Sequence, residues 1–458
     1  MVLSQVFERF VQESPVSVMA RAAMEHALAP AALDALFDEH AEQQYTRELL
    51  FSSVVDLMSV VVTKTQPSVN AAFQSVKHTL PVSLTALYNK LNGTEPGVVS
   101  ALVRHTADRL APVIEATKGR MPPRLAGMPM RILDGNHFAA TERRLGVLRG
   151  SIAGPLPGHA LVVLDPELML AIHMIPCEDG HAQERSLTSE ILARVGRGEV
   201  WMADRNFCTC LLLSGVVDRD AFYVIRQHAN MQVISAGTLR KRGRTETGEV
   251  YEQRVTLAKI DGTTMAARRI VLRLNKPTRD GDTEMAILTN LSADVADAVT
   301  VAELYRGRWT LETMFQSLTQ MLRGEIDALG YPRAALLGFG VALVTYNVLS
   351  TIQAALRAHF GVETVTNEVS GYYIANEIRI TMRGMAIAVE PEVWDSYQTL
   401  RPAAFARELV RWASHARRGS FKKHPRATKK PVPKRTRFPD KTHVSTARLL
   451  KESREKSR

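Results

Sequence analysis

Three acidic residues in this chain stand where a metal site directed at phosphates could form. Two short apolar segments, each predicted to be a β-strand, end in Asp134 and Asp204, and a third carboxylate, Glu312, lies in a segment predicted to be helical. If the two strands are neighbours in one sheet, both aspartates lie at the same edge. Carboxylate oxygens suit Mg²⁺, which keeps several waters and accepts phosphate oxygens. The pattern predicts a magnesium site for in-line phosphoryl transfer.

The segment around Glu312 is predicted to be one helix, and it begins at Thr300 because Thr300 and Glu303 fit a capping box. At about 100° per residue, Tyr305, Arg308 and Glu312 fall within roughly 60° of one another on this helix. Their row lies close to an apolar stripe that would dock the helix on a sheet. A glutamate in such a place is partly desolvated and needs a cation.

Weaker candidates surround these positions. Asn136 and Asn206 follow the two aspartates and could fix them through hydrogen bonds. Glu190, on a helix predicted over 186–195, could be an accessory carboxylate, although a plain surface role is the simpler interpretation. His137 could touch metal or DNA, but it is better explained as a loop histidine.

The net charge of +11 is concentrated at the carboxyl terminus. Residues 417–458 contain 16 of the 58 Lys and Arg residues and 3 of the 47 Asp and Glu residues, so the rest of the chain is close to neutral, with 42 and 44. Four prolines and few large apolar residues predict that this tail is disordered. It is either a solvated terminus or, as we favour, a non-specific clamp on phosphate backbones with salt-sensitive affinity.

Length and composition exclude several classes of protein. With 458 residues, 45% of them hydrophobic, the chain should be soluble and hold about two to four domains. The three cysteines follow no paired metal-ligand pattern, which argues against zinc and fits a reducing cytoplasm. The amino terminus has no signal-peptide pattern. The uncharged segment 334–356 is long enough to span a bilayer, but its polar residues favour a buried core helix.

The order of predicted elements indicates an α/β fold. Residues 1–125 read as helical and contain a helical hairpin compatible with a DNA-reading helix-turn-helix. Residues 230–295 alternate between apolar and polar and predict an all-β insertion with Asp-Gly turns. The other strands are predicted at 129–134, 144–150, 160–174, 199–204 and 221–226.

Together these residues resemble a DDE transposase of the bacterial insertion-sequence type, in the insertion-sequence-four group, whose catalytic helix carries a Tyr-x2-Arg-x3-Glu-x6-Lys signature. The resemblance covers roughly residues 80–350. One position departs from the signature: Thr319 stands in place of its lysine, and Arg323, one turn further, is the candidate for the missing charge. The matching residues are Asp134, Asp204, Tyr305, Arg308, Trp309, Glu312, Tyr346 and Asn347.

The resemblance implies a ribonuclease-H-like mixed sheet with an inserted all-β domain, a helical N-terminal DNA-binding domain and a disordered basic C-terminal tail. The expected boundaries are 1–125 for the N-terminal domain, 126–229 and 300–360 for the two parts of the catalytic core, 230–299 for the β insertion, 361–416 for a helical region and 417–458 for the tail.

The resemblance also implies cleavage at transposon ends and strand transfer into target DNA. Asp134, Asp204 and Glu312 become the catalytic residues and the ligands of two Mg²⁺ ions, for which Mn²⁺ can substitute.

The residues expected to contact DNA phosphates are Tyr305, Arg308 and Arg323. The implied partners are double-stranded DNA, as inverted-repeat ends and as target, and a second copy of the chain in the DNA complex. No membrane partner is expected, and the implied location is the bacterial cytoplasm, at the nucleoid when bound to DNA. A structure-selective nuclease on the same scaffold and a non-catalytic, transposase-derived DNA-binding protein remain as alternatives.

Overall fold

Helices fill the first part of the chain. The computed structural model describes residues 5–44, 48–138, 145–149, 155–278, 281–424 and 444–456. The amino-terminal segment is helical, as its apolar periodicity predicts. Its helices are α1 (Gln5–Glu13), α2 (Pro15–Ala27), α3 (Pro30–His40), α4 (Phe51–Val62), α5 (Val69–Val76), α6 (Leu84–Gly93) and α7 (Pro96–Thr117).

The strands that carry the two aspartates come next, with short helices between them. Two 3-10 helices, Glu184–Leu187 and Arg205–Phe207, lie among these connections. The elements are β1 (Met130–His137), α8 (Gly146–Arg149), β2 (Pro155–Leu156), β3 (His159–Asp165), β4 (Leu170–Cys177), α9 (Thr188–Leu192), β5 (Val200–Ala203), α10 (Cys210–Val217) and β6 (Phe222–Arg226).

An all-β segment follows, and the chain then returns to helices. The strands are β7 (Val233–Ala236), β8 (Arg240–Arg244), β9 (Gly248–Ala258), β10 (Thr264–Leu274) and β11 (Glu284–Thr289). The later elements are α11 (Ala298–Arg306), α12 (Trp309–Gln320), α13 (Pro332–Phe360), α14 (Val362–Glu368), α15 (Gly371–Ala388), α16 (Glu392–Gln398), α17 (Pro402–Ala413), β12 (Val444–Ser445) and α18 (Thr446–Lys456).

One mixed sheet organises the described residues. Its strands lie in the order β4-β3-β1-β5-β6-β11-β10-β9-β7, and β8 also pairs with β9. The pairs β1–β5 and β5–β6 are parallel, and the other pairs along this order are antiparallel. The β segment predicted as an inserted domain is therefore not separate, because β11 pairs with β6 and extends the central sheet. This pairing removes the exposed edge that β6 would otherwise present.

The helices on one side of the sheet share a single apolar core. Residues of the amino-terminal helices, α13 and the helices after it bury their apolar faces together. Phe7, for example, packs edge-on against Trp394, with ring centroids 5.4 Å apart. The amino-terminal segment thus forms one layer with the carboxyl-terminal helices.

Helix α13 is the core helix predicted from its apolar sequence. Among the described residues it is the one helix long and apolar enough to cross a membrane, and its most apolar window has a mean hydropathy of 1.7. That window is 94% buried within the fold. The prediction of a buried core helix is confirmed by this packing.

Three local predictions were wrong. The strand predicted at 144–150 is replaced, in its described part, by the short helix α8. The strand predicted at 160–174 is a hairpin of β3 and β4, because Asp165 caps the connecting turn by accepting from the amides of Glu167 and Leu168. Part of the tail predicted as disordered is ordered: residues 444–456 form β12 and α18, since β12 pairs with β2 and α18 packs against α8. Residues 425–443 of this prediction lie outside the described residues.

Asn347 joins the core helix to the outer edge of the sheet. Its side-chain oxygen accepts from the amide of Ala171 at 2.8 Å, and its Nδ2 donates to the Ala171 carbonyl at 2.9 Å. Ala171 lies on β4, the last strand of the sheet, and Asn347 is fully buried. The amide therefore satisfies two backbone groups that would otherwise lack partners at a buried sheet edge.

We expect Asn347→Ala to lower the free energy of unfolding by about 2–4 kcal/mol, because two buried backbone groups lose their partners. Urea unfolding followed by circular dichroism measures this loss. Thr345→Val is the matched control, since the buried Thr345 hydroxyl bonds only to the Val341 carbonyl of its own helix. Equal destabilisation by the two variants would contradict the proposed role of Asn347.

Candidate active site

Parallel pairing of β1 with β5 brings the first two carboxylates together. Leu133 is paired with Ala203, so Asp134 and Asp204 follow directly after a matched pair of residues. The two strands are neighbours, which is the condition stated for a shared edge, but the prediction that a strand ends at Asp134 was wrong, because β1 continues to His137 by pairing with β3. Asp134 accepts from the Gly135 amide at 3.0 Å, and Asp204 caps a 3-10 helix by accepting from the Asn206 amide at 2.8 Å. Both carboxylates are therefore held by backbone groups of the residues that follow them.

Arg308 connects the third carboxylate to this pair. Its Nη1 donates to Asp134 Oδ2 at 2.8 Å, and its Nη2 donates to Glu312 Oε1. The Arg308 side chain is 12% exposed, that of Asp134 is 18% exposed and that of Glu312 is 43% exposed. Glu312 therefore reaches Asp134 through a guanidinium, and it is the most accessible member of the group.

The segment that carries Arg308 is a broken helix, not the single helix predicted. Helix α11 ends at Arg306 and α12 begins at Trp309, so Tyr305 and Glu312 lie on different helices. Gly307 allows the break: a Cβ there would lie 1.4 Å from Nη1 of Arg124, which passes through the turn. Arg308 consequently lies at the junction and points between the two aspartate strands and α12.

The start of α11 also differs from the predicted capping box. Asp297 is the N-cap residue, and its carboxylate accepts from the Thr300 amide at 2.7 Å. The N-cap of α11 therefore lies three residues before Thr300, and the helix begins at Ala298. Glu303, the expected reciprocal partner, forms an ion pair with Arg306 instead.

Burial raises the pKa of Asp134 to about 6, although the Arg308 guanidinium and the Gly135 amide act in the opposite direction. The nearby charges of Asp204 and Glu184 raise this pKa further. A carboxyl group that is expensive to ionise in the metal-free protein suits a site that receives a cation, because the cation would offset the cost of the charge.

Tyr305 is buried beside this group, and its burial raises the pKa of its hydroxyl to about 12. It interacts electrostatically with Arg308 and Asp204, so the structure brings Tyr305 to the same site. Its hydroxyl therefore acts as a neutral hydrogen-bonding group near neutral pH.

Arg323 lies elsewhere, in a cleft of about 610 Å³ between α12 and the amino-terminal helices. Its Nη1 donates to the Pro67 carbonyl at 2.5 Å, and Lys64 beside it donates to the Gln320 carbonyl at 3.1 Å. Thr319 and Asn136 also line this cleft. Arg323 is thus tied to the amino-terminal layer, while Asn136 opens towards the cleft from the end of β1.

Glu184 lies at the site, although it was not among the site residues predicted from the sequence. Its Oε2 accepts from Asn206 Nδ2 at 2.6 Å, and its Oε1 lies 3.9 Å from His137 Nδ1. Burial is the main cause that raises the pKa of Glu184, and the Asp204 charge adds to it. Glu190, the accessory carboxylate considered from the sequence, is exposed on α9. Nothing in the spacing of Glu184 signals its position, because it reaches the site from a loop-borne 3-10 helix.

The donor set suits a hard divalent cation, but the three predicted ligands are not gathered as a finished metal site. Within the part of the chain that the structure describes, no three histidine, cysteine, aspartate or glutamate side chains are grouped closely enough to hold a metal ion. Asp134, inside β1, and Asp204, directly after β5, offer carboxylate oxygens on neighbouring strands, the ligand type that Mg²⁺ prefers. Glu312 is joined to Asp134 through the Arg308 guanidinium.

We expect metal-free Asp134→Asn to be more stable than the unchanged protein at pH 8, by up to about 3 kcal/mol, and to lose this advantage near pH 4. Because the Asp134 pKa of about 6 in the folded protein exceeds the ordinary aspartate pKa of 3.8, the folded protein binds more protons between these values, and its stability falls as the pH rises through this window. Urea unfolding in a chelating buffer at both pH values measures the difference. A stability change that does not depend on pH would contradict the assignment.

A comparison with known proteins connects this geometry to a family. Residues 156–348 match the family model described as Transposase DDE domain. The matched segment is less than half of the chain and contains Asp204, Arg308 and Glu312, whereas Asp134 lies before it. The search of curated proteins found no match. The domain match supports a DDE transposase.

Proposed function

We propose that this protein is a DNA transposase that cleaves DNA at transposon ends and transfers the freed strand into target DNA. The observation that carries the proposal is the pairing of β1 with β5, which sets Asp134 and Asp204 side by side within reach of Arg308 and Glu312. The transposase domain match over residues 156–348 supports the same reaction class. Phosphoryl transfer depends mainly on positioning and on charge stabilisation, which a group of carboxylates and cations supplies.

Asp134, Asp204 and Glu312 are the proposed ligands of divalent metal, with Mg²⁺ as the expected ion and Mn²⁺ as a substitute. Bound metal would activate the attacking hydroxyl and stabilise the leaving oxygen. Glu312 is suited to move towards the aspartates because its side chain is 43% exposed, against 18% for Asp134. The proposal therefore includes exchange of the Arg308–Glu312 ion pair when metal and DNA bind.

Arg308 and Tyr305 are the proposed contacts to phosphates near the scissile bond. Among the described residues, the buried Arg308 Nε has no hydrogen-bond partner, so the guanidinium has one further donor beside the two that it gives to carboxylates. A guanidinium suits phosphate because two parallel N–H groups can bond to two oxygens. Tyr305 would donate its hydroxyl proton in a hydrogen bond.

Binding of double-stranded DNA is proposed to use several basic regions. Arg323 and Lys64 line the cleft beside α12, which also opens at Asn136. The carboxyl-terminal tail adds the 16 basic residues of 417–458, and its helix α18 attaches to the sheet layer through an ion pair of Arg448 with Asp179. The amino-terminal helices are the proposed reader of the transposon end. The proposed assembly is a dimer on DNA in the bacterial cytoplasm.

We expect the protein to cut DNA duplexes that carry the flanking inverted repeats only when Mg²⁺ or Mn²⁺ is present. Pre-cut ends should be joined to a target plasmid under the same conditions. Denaturing gels of end-labelled DNA measure both products. Metal-dependent cutting without joining would identify a nuclease, and binding without any cut product would indicate a non-catalytic DNA-binding protein.

We expect Asp134→Ala, Asp204→Ala and Glu312→Ala each to reduce end cleavage by at least about 10³-fold, because the metal ligands act as a unit. DNA affinity, measured by electrophoretic mobility shift, should stay within about three-fold. Glu190→Ala is the matched control: it also removes a carboxylate, but an exposed one on α9. A variant that cuts at the control's rate would exclude its residue from the site.

A further inference from the structure

We propose that Glu184 is a positioning residue that fixes Asp204 relative to Asp134. It holds the residues that follow the two aspartates, Asn206 and Gly135. This inference rests on the proposed function, since the aspartates it places are the proposed metal ligands.

The contact with Asn206 links Glu184 to Asp204. Asn206 donates its side-chain Nδ2 to Glu184 Oε2 at 2.6 Å and its backbone amide to Asp204 Oδ1 at 2.8 Å. One asparagine therefore bonds to both carboxylates. Because Asp204 and Asn206 belong to the same tight 3-10 turn, a shift of the Asn206 side chain is passed directly to the Asp204 carboxylate.

The second oxygen of Glu184 lies against the end of β1. A Cβ atom on Gly135 would come within 1.8 Å of Glu184 Oε1, so a larger residue there would displace the carboxylate from its present place. Gly135 follows Asp134 directly, and its amide bonds to the Asp134 carboxylate at 3.0 Å. His137 Nδ1, two residues further along β1, lies 3.9 Å from the same Glu184 oxygen. Glu184 thus contacts the turn after β5 and the last residues of β1 at once.

These contacts favour positioning over direct metal binding. Oε2 is occupied by Asn206, and Oε1 is packed on Gly135. The Glu184 side chain is 14% exposed, and a buried carboxylate is retained only where hydrogen bonds offset its desolvation. Groups that orient metal ligands in this way change metal affinity by about 10–100-fold when they are removed.

The experiment compares Glu184→Ala, Asn206→Ala and the double variant with Glu184→Gln. The readouts are the Mn²⁺ concentration for half-maximal end cleavage and Mn²⁺ binding by calorimetry without DNA. We expect each alanine variant to raise the half-maximal concentration about ten-fold. The double variant should be no worse than either single one, because the two residues act through one contact. Glu184→Gln keeps an acceptor for Asn206 and should recover most of the loss.

Glu190→Ala is again the control, and the urea midpoint of each variant shows whether it folds. If Glu184→Ala does not fold, Asn206→Ala and Glu184→Gln carry the test. Unchanged Mn²⁺ dependence in the alanine variants would overturn the inference. It would also be overturned if the increases in half-maximal Mn²⁺ concentration multiplied in the double variant, or if Glu184→Gln were as impaired as Glu184→Ala. If the unchanged protein binds Mn²⁺ but cuts no DNA, the proposed function fails, and the calorimetric comparison still decides the role of Glu184.

Discussion

The Arg308 guanidinium is the group on which the arrangement of the candidate site depends. Asp134 and Asp204 follow paired residues of two parallel strands, so the strand pairing brings their negative charges together despite the repulsion between them. Arg308, placed at the break between α11 and α12, offsets part of that repulsion by bonding to Asp134 and brings Glu312 with it. The same guanidinium bridges Asp134 and Glu312, so it would compete with the divalent cation that we propose for this site.

Burial of the site makes ionisation of Asp134 costly, even though Arg308 contacts its carboxylate. A fully desolvated carboxylate with only a hydrogen-bonded cation beside it gains less than it loses by leaving water, unless the geometry is very good. The pKa of Asp134 stays raised, chiefly because of burial, even with Arg308 in contact. The fold tolerates this cost because the strands are fixed elsewhere, for example where Asn347 holds the outer strand to the core helix. Contacts such as those of Asn347 thus stabilise the fold, while the residues of the candidate site carry the cost of burial.

The end of β5 could be predicted because its short apolar run ends in Asp204, whereas β1 continues past Asp134 to His137, since residues 134–137 pair with β3. The break at Gly307 was missed because the apolar stripe continues across it, and periodicity does not reveal that Arg124 occupies the turn. Glu184 could not be predicted, since its place depends on tertiary packing of a loop against Gly135. Patterns within one helix or strand could be interpreted from the sequence, whereas contacts between elements distant in sequence could not be predicted from it.

Two cations of the cleft beside α12, Lys64 and Arg323, bear on the proposed binding of DNA. Burial is the main cause that lowers the pKa of the Lys64 ammonium, and the charges of Arg323 and Arg379 lower it further. Glu325 and Asp327 also line the cleft, and Lys64 and Arg323 repel one another within it. A phosphate backbone in the cleft would relieve that repulsion and release its own counterions. We therefore propose that Lys64 and Arg323 hold DNA near β1, the strand that carries Asp134 and whose Asn136 lines the same cleft.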